Sequence, residues 1–185
     1  MIALTRLETG QLLNSRMKAK HDANRMDSAS SLICDLSSFD WLLIVRDPYS
    51  RTLSAFLEKF QHESYIRNYG RYDLSPAGFH RFLCWLKDGG LSADYHWNLQ
   101  TANIFLPVHL HNRIIKFETF GSEFLSFLQE KDRSVDAQFF SEATIRGGVM
   151  ATNSAAKVPI FYDRSSRRLV SELFEKDFRT LGYPV

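Results

Sequence analysis

Cysteine is scarce in this chain: Cys34 and Cys84 are the two present in 185 residues. They match no metal-ligand spacing and no framework pattern, which excludes a disulfide scaffold and a Cys-based metal module. A long hydrophobic run is also lacking. No window of about eighteen residues is apolar throughout, so no membrane-spanning helix is expected. No basic-then-apolar leader opens the chain, and it holds neither internal repeats nor a low-complexity tract. An excess of one charge is missing as well. With 23 basic and 21 acidic residues the net charge is +2, which excludes a polycationic nucleic-acid coat and confines any basic site to a local cluster. As it stands, the sequence reads as a soluble protein of a reducing compartment.

What is present suits a packed core. The chain is 44% hydrophobic and 14% aromatic, with fifteen Phe, so wholesale disorder is excluded and one domain spanning residues 1–185 is expected. Arg outnumbers Lys fifteen to eight, a skew that suits an anionic ligand because guanidinium is the better fork for phosphate and carboxylate.

Residues 1–13 carry a mixed apolar helical pattern, and the polar stretch 14–31 reads as a helix fraying into a loop. The run Trp41-Leu42-Leu43-Ile44-Val45 reads as a strand buried on both faces, as in a parallel sheet. Asp47 and Pro48 then supply a cap and a first helical residue, and Leu53, Phe56, Leu57 and Phe60 line one face of a helix from Pro48 to about His62. Residues 66–75 read as a loop. Ser75-Pro76 opens a helix with Phe79, Phe82, Leu83 and Leu86 inward, ending at Gly89-Gly90. A second strand, Arg113 to Phe117, leads through Glu118 into a helix with Phe120, Phe124, Phe127 and Leu128 inward. Residues 132–159 read as mostly irregular, with a short helix near Ala137, and one amphipathic helix runs from Arg164 to Leu181 and stops at Gly182. Strands alternating with helices argue for the α/β class with a parallel sheet.

The segment from Trp41 to Phe60 says most about function. A buried strand delivers Arg46 to the carboxyl edge of the sheet, where open α/β sheets bind ligands. The helix that follows immediately turns its N-terminal N–H groups and positive dipole end to the same crevice. Arg51 and Ser54 lie three apart on that helix, on one side, and Ser54 is placed to donate to the flank of an anion. A guanidinium, a hydroxyl and a helix N-terminus form a phosphate cradle. A strand that ends in a structurally paired Arg is the plain alternative on these residues alone.

The stretch Arg46-Asp47-Pro48-x-x-Arg51-x-x-Ser54-Ala55-Phe56-x-x-Lys59-Phe60 resembles the 3′-phosphate-binding motif of sulfotransferases that use 3′-phosphoadenosine 5′-phosphosulfate. Its form is nearest the Golgi-type carbohydrate sulfotransferases and their bacterial relatives. Asp94-Tyr95-His96-Trp97-Asn98-Leu99-Gln100 is similar to the family's His-Trp-x-x-Gln block, and Ile114 to Phe120 to its strand ending in Phe-Glu. Residues Glu175 to Tyr183 are similar to its Asp-Phe-x-x-x-Gly-Tyr ending, and Asn153-Ser154 to a stretch ahead of the last helix.

The resemblance implies a P-loop-NTPase-like parallel sheet flanked by helices. It also implies transfer of a sulfuryl group from phosphoadenosine phosphosulfate to a hydroxyl of a carbohydrate or glycoconjugate, with no metal. Arg46 and Ser54 match the residues that hold the 3′-phosphate; Arg51 is placed beside them and Lys157 near the cofactor's phosphates. His96 is the expected base, since imidazole titrates near neutrality, with Glu58 and Glu118 as carboxylate alternatives and Glu118 also suited to orienting a basic loop residue. Tyr65, Tyr95 and Trp97 are either a sugar-stacking groove or loop anchors in the core. His109 and His111 alternate, but no Cys, Asp or Glu stands at ligand spacing beside them.

Two departures from the family pattern matter. The family holds the 5′-phosphosulfate on a strand, turn and helix ahead of the Arg-Asp-Pro motif. Here Met1 to Leu7 looks like the helix after that turn, so the first strand and phosphosulfate loop are expected to be missing and the domain N-terminally truncated. Nor does the region Ile104-Phe105-Leu106-Pro107-Val108 hold the cysteine pair of animal Golgi members, which implies a bacterial, cytoplasmic protein rather than a luminal one. Two other functions stay open at this point. One is a truncated nucleotide-binding fragment without catalysis. The other is a kinase-like P-loop protein, against which the lack of Gly-x-x-x-x-Gly-Lys-Ser/Thr speaks.

Overall fold

The computed structural model describes residues 40–131 and 152–185. The expected helix over 1–13, the polar stretch 14–31, Cys34 and the helix near Ala137 lie outside the described residues. The chain divides into two compact units, Met1–Leu42 with His111–Arg113, and Leu43–Leu110 with Ile114–Val185. In the first, the Trp41 N–H donates to Asn112 Oδ1 at 2.7 Å and the Asn112 N–H returns to the Trp41 carbonyl at 2.8 Å. This reciprocal pair fixes the register at the point where both strands begin.

Strand β1, Leu42–Val45, and strand β2, Arg113–Lys116, form a small two-stranded parallel sheet. Burial differs between neighbouring residues in both strands. Val45 and Ile115 are buried, whereas Ile44 is 39% and Ile114 37% exposed. The expectation of a strand covered on both faces is therefore corrected: successive side chains point to opposite faces, and Ile44 and Ile114 stand partly exposed on one of them among the described residues. The rest of the described residues are mainly helical, so the α/β expectation holds as a mixed arrangement with helices dominant.

Helix α1 spans Pro48–Lys59, with Pro48 in its first turn and the Asp47 carboxylate accepting the Ser50 N–H at 2.9 Å. Helix α2, Glu63–Tyr69, replaces much of the expected loop. Its Tyr65 and Tyr69 lie one turn apart and pack edge-on to Trp97, with centroids 5.9 and 5.0 Å away. That contact supplies what weak local propensity does not. Gly70 then ends α2 at φ 91°, a conformation open to glycine without strain. Helix α3, Pro76–Lys87, starts as expected at Ser75, whose hydroxyl accepts the Gly78 N–H at 3.1 Å. Helix α4, Phe120–Glu130, buries Phe124, Phe127 and Leu128 but leaves Phe120 half-buried.

Helix α5, Ser154–Phe161, falls in a region expected to be irregular. The expected single last helix is two: α6, Arg164–Leu173, and α7, Glu175–Leu181. Phe174, at φ −111° and ψ 19°, breaks it. Val170, Phe174 and Phe178, spaced four apart across the break, all point inward, each at most 1% exposed. Gly182 closes α7 in the left-handed region, as the sequence indicates.

The core of the second unit is aromatic. Phe56, Phe79, Phe82 and Trp97 are fully buried, with Phe60 stacked on Trp97 at 6.0 Å and Phe82 edge-on to it at 5.5 Å. Deleting one such ring costs roughly 3–5 kcal/mol. The indole N–H of Trp97 donates to the Gly90 carbonyl at 3.0 Å, and a Cβ on Gly90 would sit 2.5 Å from the Trp85 ring. Trp97 is thus a core anchor, and it fixes the loop that carries His96.

Candidate functional site

Arg46 is the first residue beyond β1, and its position is set from both ends. Its N–H donates to Gln100 Oε1 at 2.9 Å and its carbonyl accepts from Gln100 Nε2 at 2.8 Å. Gln100 is held in turn by buried Asp177. The Asp177 carboxylate accepts the N–H groups of Gln100 at 2.7 Å and Thr101 at 2.9 Å, and the Thr101 hydroxyl at 2.7 Å. Helix α7, the Gln100 turn and the end of β1 are therefore one hydrogen-bonded unit.

Among the described residues, the Arg46 guanidinium spans three groups. Nε donates to Ser50 Oγ at 3.3 Å, Nη2 to Ser154 Oγ at 2.7 Å, and the carbon centre lies 4.9 Å above the Phe117 ring. Ser54, two turns into α1, pairs its hydroxyl with that of Thr152 at 2.9 Å. Arg46 and Ser54 thus meet a single short segment, Thr152 to Ser154, just ahead of α5. Asn153 between them sits at φ 52°, in the left-handed region that Asn tolerates better than most residues. The result is a guanidinium that donates to two serine hydroxyls, with the Ser54–Thr152 hydroxyl pair reached through the same short segment, a donor set suited to a phosphate dianion.

The helix N-terminus supplies less than expected. Pro48 has no N–H, the Ser50 N–H goes to the Asp47 carboxylate, and the Arg51 N–H closes the first turn on the Asp47 carbonyl at 2.9 Å. Asp47 is itself anchored, its N–H donating to Glu118 Oε1 at 2.9 Å, while Glu118 Oε2 accepts the Tyr183 hydroxyl at 2.9 Å. Burial and this carboxylate push the Tyr183 phenol well above its ordinary range. Glu118 therefore orients the Asp47 turn and the C-terminal tyrosine.

Arg51 and Ser54 are held by different segments. Arg51 Nη1 donates to the Asn98 carbonyl at 2.7 Å and Nη2 to the Tyr95 carbonyl at 3.1 Å. Burial lowers its pKa to about 10, with Asp177 opposing and Arg46 adding to the shift, so it is cationic at neutral pH. Its contacts clasp the loop on either side of His96. Lys157 lies in the first turn of α5, half-buried, its N–H bonded to the Asn153 carbonyl at 3.3 Å.

His96 stands in a polar cluster. Its Nδ1 is 2.6 Å from Asp94 Oδ1 and 3.1 Å from the Tyr65 hydroxyl. Burial lowers its pKa, Lys59 adds to this, and Asp94 and Glu58 oppose it. Tyr95 is 64% exposed, with its ring centroid 3.9 Å from that of His96. Glu58 pairs with Lys59 at 2.9 Å.

Sequence reasoning did not assign roles to Gln100, Asp177, Ser50, Thr152, Ser154 or Asp94. The signals for Gln100 and Asp177 were present, as polar residues inside the two blocks similar to the family. Ser154 also fell in a stretch similar to the family, but nothing marked Thr152, and both hydroxyls matter only because the chain returns to Arg46 and α1 about a hundred residues later.

A family model for the "Sulfotransferase family" matches residues 6–184. The chain is 28% identical over 194 residues to carbohydrate sulfotransferase 10 of Xenopus laevis, a match covering 88% of this chain and 54% of that protein. The chain therefore spans about half the length of the curated relative it matches. No solved structure matches it. A vertebrate relative lends no support to the bacterial, cytoplasmic origin expected from the missing cysteine pair. With the family model running through nearly the whole sequence, the chain belongs to the sulfotransferase family.

Proposed function

We propose that this chain transfers a sulfuryl group from 3′-phosphoadenosine 5′-phosphosulfate to a carbohydrate hydroxyl, on a P-loop-type sheet. Arg46 and Ser54 hold the donor's 3′-phosphate, with Lys157 a further cation at the start of α5. Family membership and the carbohydrate named in the relative support this reading. The observation that carries it is the convergence of Arg46 and Ser54 on Ser154 and Thr152, two hydroxyls only two positions apart. A dianion entering there meets one fixed charge and several donors, with Gln100 having already set the Arg46 backbone.

Sulfuryl transfer resembles phosphoryl transfer in needing mainly alignment and positive charge on the leaving phosphate. His96 is the base of this reading. It takes the acceptor's proton as the acceptor oxygen bonds to sulfur and the bridging oxygen–sulfur bond breaks. The other product is 3′-phosphoadenosine 5′-phosphate, which leaves with the bond's electron pair. Exposed Tyr95 beside His96 offers a face on which a sugar ring stacks.

Calorimetry with 3′-phosphoadenosine 5′-phosphate tests the cradle. The wild type should bind, Arg46→Ala should weaken binding by on the order of a hundredfold and Ser54→Ala by about tenfold, as expected for losing a cationic and an uncharged donor to the phosphate. Equal affinity in all three proteins would reject the assignment.

A further inference from the structure

The sequence places an acid two residues before His96, and the fold turns that acid back onto it. Asp94 Oδ1 accepts the backbone N–H of His96 at 2.8 Å and lies 2.6 Å from its Nδ1. Burial opposes ionisation of Asp94, but the backbone and ring N–H groups of His96 and the Tyr65 hydroxyl outweigh it and hold the carboxyl below its ordinary range. An ionised carboxylate has no proton to give, so the short contact requires the proton on Nδ1. The Tyr65 hydroxyl, 3.1 Å from Nδ1, then finds its acceptor in the same carboxylate. Burial and Asp94 push the Tyr65 phenol up to about 12, so it remains a donor.

The other side of the ring is different. Among the described residues, Nε2 of His96 has no hydrogen-bond partner. The Tyr95 ring lies over the imidazole at 3.9 Å, and Tyr65 meets it edge-on at 6.0 Å. Among the described residues, the charged or titratable groups that face it are Glu58 and Lys59 from α1, Tyr65 from α2, and Asp94 and Tyr95 from its own loop.

We infer that Asp94 is a positioning residue, whose carboxylate fixes the proton of neutral His96 on Nδ1 and leaves Nε2 as the ring's proton acceptor. Its catalytic consequence rests on the reading of His96 as base. A base at Nε2 needs the lone pair there at the moment the acceptor arrives, and the opposite tautomer would present an N–H instead. Asp94 also favours the imidazolium that forms once the proton has moved.

The tautomer is readable without turnover. In the 15N-labelled 185-residue chain, long-range proton–nitrogen spectra through a pH titration should show neutral His96 protonated at Nδ1. In Asp94→Asn, His96 should titrate at lower pH and lose its tautomer preference. A neutral wild-type ring protonated at Nε2 overturns the inference with no variant needed, and so does an Asp94→Asn ring that titrates and tautomerises like the wild type. In turnover assays, Asp94→Asn should lower kcat by at least about tenfold with KM little changed, since orientation of the base is lost rather than binding. The acid limb of the kcat profile should move to lower pH, which general loosening would not produce. Full turnover in His96→Gln alongside an Nδ1-protonated wild-type ring would reject the base reading and leave the tautomer assignment standing.

Discussion

The carboxamide of Gln100 closes a two-point clasp on the backbone of Arg46, with Oε1 2.9 Å from the N–H and Nε2 2.8 Å from the carbonyl. It does for the end of β1 what a neighbouring strand would do, satisfying both main-chain groups of one residue. Gln100→Ala strands an N–H and a carbonyl in a half-buried site, at a cost of about 1–3 kcal/mol. Urea unfolding should show that loss, and calorimetry should show weaker binding of 3′-phosphoadenosine 5′-phosphate as Arg46 loses its set. Gln100→Glu keeps the shape but removes the donor to the Arg46 carbonyl, and should lose affinity as well. Unchanged affinity in both variants would mean that the clasp serves stability alone.

The bend before α5 makes a second prediction. Asn153 at φ 52° aims its two neighbours, Thr152 and Ser154, at Ser54 and Arg46. Asn153→Gly should fold with stability near that of the wild type, because glycine enters this region freely. Asn153→Val should lose about 1–3 kcal/mol, or rearrange the bend to avoid the strain. Either response should weaken nucleotide binding in the valine variant and spare it in the glycine variant. The comparison needs only thermal melts and calorimetry.

The strongest elements were legible because their physics is local. Asp47-Pro48 and Ser75-Pro76 start helices as their caps dictate, and the four-residue spacing of Phe79, Leu83 and Phe82, Leu86 marks a buried face. Helix α2 was not legible, since it rests on Tyr65 and Tyr69 meeting Trp97, about thirty residues away. The break at Phe174 was hidden for the same reason: a continuous helical pattern is compatible with a bend that only the core rewards. At the candidate site, Arg46 and Ser54 could be picked out of one segment, whereas Gln100, Thr152 and Ser154 reach them from distant parts of the chain.

Acid should weaken this protein partly through His96. Burial, reinforced by Lys59, lowers its pKa in the folded state below the ordinary value of 6.5. The unfolded chain therefore takes up the proton first as pH falls, and the folded state loses stability from about pH 6.5 down to the folded pKa. Asp94, also held low, adds a separate loss in the carboxylate range below about pH 4. Urea midpoints measured between about pH 8 and 3 should decline for the wild type. His96→Gln should flatten that upper part of the decline and leave the lower part in place. A slope as steep in the variant as in the wild type would assign the upper titration to another group.

Arg51 separates two jobs that lie close together in the sequence. Its guanidinium bridges the carbonyls of Asn98 and Tyr95 at 2.7 and 3.1 Å, so the fork geometry matters as well as the charge. Lysine is a single point donor and cannot hold both carbonyls in the same way. Arg51→Lys should therefore release the His96 loop, lowering turnover while leaving affinity for 3′-phosphoadenosine 5′-phosphate within about twofold of the wild type. Arg46→Lys should do the reverse first, weakening nucleotide binding because Ser50 and Ser154 are reached from two different nitrogens. Calorimetry on the two variants side by side decides the matter. If Arg51→Lys loses as much affinity as Arg46→Lys, Arg51 belongs to the phosphate cradle that its spacing from Ser54 suggested. If it keeps affinity and loses turnover, the helix carries the cradle on one side and the brace of the catalytic loop on the other.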